Sequence, residues 1–246
     1  MAVCPKDAIY IQGRELPDDA CFELPSKEKE AGYEVLHALL VRRRSIRHFL
    51  QREVDNETIE KILQSAVSAP MGLPPSDVHV LVIKGKDKNR AFARDYVTFL
   101  ESYKWMVSSL FLTLMRPFWG KTNAEMFAGF IRPLFDCYIQ GMKKDENLVT
   151  YDAPLMMYFY GSPYCDPADP IVAATYAMLA GQSLGLGNCM LGGIHPMIQY
   201  GKKGRRFREK YGIKYPSREG LFVVFGYPAI EFRKGIHRSF ADISYL

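Results

Sequence analysis

Four arginines, Arg42, Arg43, Arg44 and Arg47, fall within six residues, with Ser45 among them and Phe49 just beyond. Four cations so close repel one another, so an anion or counter-charge is expected beside them. Guanidinium groups hold phosphate through paired hydrogen bonds, and a serine hydroxyl adds a donor. The same pattern also reads as a solvated helix end, where cations suit the negative terminus. A second candidate is the segment Leu184–Gly193, in which Gly185, Gly187, Gly192 and Gly193 surround a short apolar piece. Glycine lets backbone N–H groups approach a ligand closely, or simply serves a loop that needs positive φ. No side chain reads as an acid, base or nucleophile. His37, His48, His79, His195 and His237 are dispersed and give no metal-ligand spacing.

Composition narrows the field. The chain has 246 residues, 48% hydrophobic and 24% charged, which excludes disorder, collagen and coiled coil. A net charge of +5 is too mild for a dedicated nucleic-acid binder. Five scattered cysteines, Cys4, Cys21, Cys137, Cys165 and Cys189, make no disulfide framework and point to a reducing compartment. There is no apolar signal core at the N-terminus. The most apolar window, Trp105–Met115, is about half the ~20 residues of a membrane span. The expectation is a cytoplasmic protein without membrane or nucleic-acid partners.

The elements that must position these residues follow from periodicity. Val35, Leu36, Leu39 and Leu40 recur at helical spacing, so the arginines end a helix. A second helix is capped by Asp55, buries Ile59, Ile62, Leu63, Ala66 and Val67, and stops at the rigid loop of Pro70, Gly72, Pro74 and Pro75. Strands are predicted at Val78–Ile83, Leu155–Tyr160 and Leu221–Phe225. Helices are expected near 92–115 and 122–142. Asp169 reads as an N-cap with Pro170 first in a nearly all-apolar, buried helix over Ile171–Leu184. The class is α+β.

Arg43-Arg44-Ser45-Ile46-Arg47-His48-Phe49 resembles the signature that opens the FMN-dependent nitroreductase family. The order of later segments agrees: Ser68-Ala69-Pro70, Tyr151-Asp152-Ala153-Pro154, Leu184–Gly193 and Gly226-Tyr227-Pro228. The resemblance covers roughly 34–246. It implies a central, mainly antiparallel sheet surrounded by helices, and an intertwined homodimer with FMN held between the chains. Arg43, Arg44 and Ser45 would take the ribityl and phosphate end, and Arg47 the pyrimidine edge, where a cation stabilises the charge of the reduced ring. The family's polar flavin contacts after Ala69-Pro70 align with Pro74 and Ser76. Pro74 offers only a carbonyl and packing, leaving Ser76 or Asp77 for a polar contact. Gly192 and Gly193 would lie against the redox face. Arg238 would reach the phosphate, with Arg233 and Lys234 as rivals.

The resemblance also divides the chain. Residues 1–32 form an N-terminal extension in which Ala2–Ile9 is similar to the end of a bacterial ferredoxin cluster motif. Only its last cysteine, Cys4, is present, so no complete iron–sulfur cluster is expected. Residues 33–246 form the FMN domain, with about 98–150 as a variable lid. Aromatics within 98–135 are placed to stack on a planar acceptor or to serve as core. A basic run, Lys202 to Lys210, reads as a solvated helix face or a docking site for an acidic redox partner or NADPH. The implied activity passes electrons from NAD(P)H or a ferredoxin-like donor to nitroaromatics, quinones or similar acceptors. Enoate reduction, dehalogenating reduction and flavin storage without turnover are the alternatives. The flavin carries the chemistry, so no catalytic side chain is assigned.

Overall fold

The structure, a computed structural model, describes residues 22–71 and 77–245. Cys4, Cys21, Pro74 and Ser76 therefore lie outside the described residues. The chain divides into two compact units, Met1–Ala38 and Leu39–Leu246. In the first, the described part holds a short 3-10 turn at Lys27–Lys29 and most of helix α1 (Tyr33–Arg42).

The second unit is built on a four-stranded antiparallel sheet, β1 (Val78–Lys84), β2 (Leu155–Gly161), β3 (Gly187–Leu191) and β4 (Gly220–Gly226). The strand order is β1-β2-β4-β3. β2 and β4 are buried along their whole length, which explains their near-continuous apolar sequences. Alternation divides their side chains between two layers. Leu155, Met157, Phe159, Leu221, Val223 and Phe225 meet α2 (Asn56–Val67) and α6 (Asp169–Ser183). Met156, Tyr158, Tyr160, Phe222 and Val224 meet α3 (Lys86–Glu101), α5 (Arg132–Lys143) and α8 (Gly201–Lys210). The expected α+β class and antiparallel sheet are both present.

The helix ends follow their chemistry. Asp55 caps α2 by accepting from the Thr58 N–H at 2.8 Å. The buried helix begins at Asp169, so its cap is Ala168 and not the expected Asp169, with Pro170 in its first turn. Its Ala173, Ala174, Ala177 and Gly181 let it approach the sheet closely: a Cβ at Gly181 would meet the Phe225 ring at 2.9 Å.

Two regions differ from the sequence reading. β3 shows in the sequence only as a short apolar piece, because five residues between glycines are too brief for a periodic signal. The expected helices near 92–115 and 122–142 become α3, α4 (Ser109–Met126) and α5. A 3-10 turn at Lys104–Val107 separates the first two. Within α4, Pro117 lies just before Gly120, whose φ of 75° breaks the helical path. In the basic run, α8 exposes most of its cations but buries Phe207 and Arg208. Arg208 donates to the Ile198 and Gln199 carbonyls.

Under β2 and β4 lies a polar knot. Tyr158 Oη is 2.9 Å from His195 Nδ1, and Gln199 Nε2 donates to the Tyr158 hydroxyl at 3.2 Å. Burial holds the His195 imidazole below its ordinary range, against the Arg218 carbonyl and the charge of Glu219. The unfolded chain then binds more protons than the folded one between the two values. This share of stability is full above roughly pH 6.5 and is lost as pH falls below it. Urea midpoints should therefore drop between about pH 7.5 and 5.5, and the drop should shrink in His195→Gln.

Candidate functional site

After α1 the chain runs alongside β3. Ser45 bridges Asn188 in parallel, and the Ile46 N–H donates to the Asn188 carbonyl at 2.9 Å. Further on, Phe49 bridges Pro228 and the Leu50 N–H donates to the Tyr227 carbonyl at 2.8 Å. Gly187 is required here, because a Cβ would meet Ile46 at 2.6 Å.

This docking sorts the arginines by side. Burial pushes the Cys189 thiol up, opposed by the charge of Arg47, by hydrogen bonds from Ser45 and Arg47, and by Arg43. Arg43, Ser45 and Arg47 thus all act on Cys189 of β3. Arg44 turns elsewhere: its Nη1 donates to the Val41 and Arg43 carbonyls at 2.6 and 2.8 Å. It lines a separate cavity of about 380 Å³ with Ile46, Gln182 and Phe232. Arg238, Arg233 and Lys234 are exposed in the irregular C-terminal stretch.

Across from Arg47 stands Tyr151, with the guanidinium 5.6 Å from the ring centroid. Partial burial works against the Arg47 charge, but Cys189 and Tyr151 outweigh it and its pKa is raised. Tyr151 and Asp152 both take the left-handed conformation, φ 55° and 51°, which costs non-glycine residues energy. A clamp holds them there. Arg90 Nη1 donates to Asp152 Oδ2 and Arg90 Nη2 to Asp145 Oδ1, each at 2.6 Å. Asn147 Nδ2 donates to Asp152 Oδ1 at 2.8 Å and to the Thr150 hydroxyl at 2.7 Å. Arg90 is largely buried, so Arg90→Met should cost about 1–3 kcal/mol in urea unfolding. Arg94→Ala, 3.9 Å from Asp145 and exposed, should stay within about 0.5 kcal/mol.

At the end of β3 the glycine pair opens onto an apolar cavity of about 390 Å³, lined by Tyr96, Leu100, Leu134, Phe135, Tyr138 and Met197 among others. A Cβ at Gly192 would meet nothing within 4 Å, while one at Gly193 would sit 3.3 Å from Leu134 Cδ2 and 3.9 Å from Tyr138 Oη. The Tyr96 hydroxyl donates to the Gly193 carbonyl at 2.9 Å. The structure therefore sets Arg43, Ser45 and Arg47 where they act on Cys189 of β3, with Gly192 and Gly193 directly after that strand, while Arg44 lines a separate cavity.

Sequence reasoning misses Tyr138 and Tyr151. Tyr151 opens the Tyr151-Asp152-Ala153-Pro154 motif, but nothing local marks the left-handed turn that aims it. Tyr138 reaches the site only through the packing of α5. One further pattern has no such role: Gly181-Gln182-Ser183-Leu184-Gly185 has G-x-S-x-G spacing. It closes α6 instead of joining a strand to a helix, and the Ser183 hydroxyl donates to the Ala180 carbonyl at 2.8 Å, so it is no nucleophile elbow. Among the described residues, no three His, Cys, Asp or Glu side chains gather as metal ligands, and no helix is long and apolar enough to cross a membrane.

A family model described as Nitroreductase family matches residues 40–227. Among solved structures, an FMN-bound nitroreductase from Bacteroides fragilis NCTC 9343 superposes with a TM-score of 0.61 at 17% identity, covering 87% of this chain and 100% of that one. An FMN-bound nitroreductase from Desulfitobacterium hafniense DCB-2 gives 0.58 at 20% identity, covering 85% and 97%. Iodotyrosine deiodinase bound to FMN and 3-iodo-L-tyrosine gives 0.53 at 16% identity, covering 86% and 98%. Among curated proteins none matches the chain.

Proposed function

The chain belongs to the nitroreductase family, and on that premise we propose that it is an FMN-dependent oxidoreductase that reduces nitroaromatic, quinone or similarly electron-poor acceptors. The observation that carries the reading is the docking of the 43–47 segment along β3, through the Ser45–Asn188 bridge and the Ile46 N–H, on the strand that ends in the open Gly192 and Gly193. The donor set fits the cofactor. Two guanidinium groups and a hydroxyl suit a phosphate and a ring edge that gains charge, and a backbone without side chains at Gly192 and Gly193 leaves room for a flat ring. FMN, when bound, supplies hydride and electron transfer. Arg43 and Ser45 hold its anionic end, Arg47 offsets negative charge at the ring edge, and Gly192 and Gly193 present backbone to the ring.

Electrons enter from NAD(P)H or a ferredoxin-like donor. The working unit is a homodimer. Its support is apolar surface that one copy leaves exposed: Leu40 and Val41 at the end of α1, and Ile236, Phe240 and Ile243 in the C-terminal stretch. The FMN-loaded protein should be reduced anaerobically by NADH, NADPH or a reduced ferredoxin, then mixed with 1,4-benzoquinone, a nitrobenzene or an iodophenol. Rapid reoxidation by the quinone or the nitroarene is expected. A flavin that no donor reduces, or that stays reduced against every acceptor, would instead mark a flavin store.

A further inference from the structure

Two features of the site go beyond the residues proposed to hold FMN. One is the apolar cavity at Gly192 and Gly193, at the small end of the range for ligand pockets. The other is Tyr138 of α5, the described residue that both lines this cavity and feels Arg47, Tyr151 and Cys189. The cavity's other phenol, Tyr96, spends its hydroxyl proton on the Gly193 carbonyl. Among the described residues, none accepts a hydrogen bond from the Tyr138 hydroxyl. Its proton is therefore not committed to another described residue.

Resting on the function proposed for the chain, we propose that this cavity is the acceptor subsite and that Tyr138 is its specificity-determining residue, donating a hydrogen bond to the oxygen of a small, uncharged, planar acceptor of the quinone or nitroarene class. The apolar lining by Leu100, Leu134, Phe135 and Met197 takes the ring, and the Tyr138 hydroxyl, 3.9 Å from the Cβ position of Gly193, selects for an oxygen at its edge. A quinone that gains a hydride, two electrons and one proton, from the reduced cofactor carries negative charge on oxygen until water supplies the second proton. The cofactor is oxidised and the quinone leaves as hydroquinone. Tyr138 is neither consumed nor deprotonated: burial, with Tyr151 and the two nearby thiols, pushes it up to about 12. A neutral phenol aimed at that oxygen stabilises the charge as it forms. Anionic acceptors are disfavoured, because the cavity offers no cation within its lining.

The test separates binding from turnover. FMN affinity is first measured by titration on wild type and on Tyr138→Phe. The dissociation constant of 1,4-naphthoquinone for the oxidised, FMN-loaded protein, which cannot reduce it, is then read from the flavin absorption bands. Tyr138→Phe should hold FMN within about threefold of wild type and weaken the quinone about 3- to 10-fold, one net hydrogen bond. Its reoxidation by the quinone should slow about 10- to 100-fold. Tyr138→His keeps a donor and should recover part of both losses. Unchanged quinone binding and rate in Tyr138→Phe would overturn the assignment, as would an equal loss in Phe and His, which would mean shape alone. Wild type that takes up no FMN would instead overturn the underlying function, and the proposal with it.

Discussion

Replacing Arg43 and Arg47 together by alanine should raise the FMN dissociation constant at least about 100-fold. Each supplies a charge-assisted hydrogen bond worth about 1.5–3 kcal/mol, and two such losses multiply when the contacts are distinct. Arg44→Ala should cost less than about tenfold. The three arginines are neighbours in sequence, but Arg43 and Arg47 act on the Cys189 thiol while Arg44 is turned onto the Val41 and Arg43 carbonyls. A resemblance at the level of motifs treats Arg43 and Arg44 as a pair; the geometry separates them. Fluorescence titration of each variant with FMN checks this. Equal losses from Arg44→Ala and Arg43→Ala would mean that the cavity beside Arg44 and Phe232 is the true anion site.

Phe222→Ala should be the most damaging single change to the fold. Phe222 is fully buried at the centre of β4. Its ring stacks on Tyr158 with centroids 3.8 Å apart and planes 7° from parallel, and it also meets Phe92 from α3. Truncation leaves a cavity that the flanking strands cannot close, at a cost of about 3–5 kcal/mol. For a chain of this size that lowers Tm by roughly 6–20 °C. The loss would spread to the knot of Tyr158, His195 and Gln199, which depends on the Tyr158 phenol staying in place. Calorimetry of the variant gives the shift directly. A change under about 3 °C would mean that Phe222 is not packed between Tyr158 and Phe92.

The sequence carries much of the fold because its strongest signals are local. Apolar runs at Leu155–Gly161 and Gly220–Gly226 read as strands buried on both faces, and Asp55 reads as the start of a helix. β3 is lost to its brevity and to the glycines around it. The break between α3 and α4 is lost because apolar residues continue through the 3-10 turn at Lys104–Val107, whereas the interruption at Gly120 falls between the two expected helices. Of the candidate site, Arg43, Ser45, Arg47, Gly192 and Gly193 stand out in the sequence, but what brings the first three to β3 does not. Their placement depends on the 45–50 segment docking against β3 and Pro228, contacts between residues far apart in the chain. Tyr138 and Tyr151 are delivered by α5 packing and by a clamped left-handed turn, neither of which leaves a local pattern. Pro74 and Ser76 lie outside the described residues, and their part in holding the pyrimidine edge is a proposal that Ser76→Ala would test through FMN affinity.

The most direct test of the central claim is the visible absorption spectrum of the purified protein, followed by denaturation and mass identification of any released chromophore. An FMN-dependent oxidoreductase should show flavin bands and release FMN in near-stoichiometric amount. A colourless protein that also fails to take up added FMN would contradict the claim, and the arginines before β3 would then be no more than the charged end of a helix.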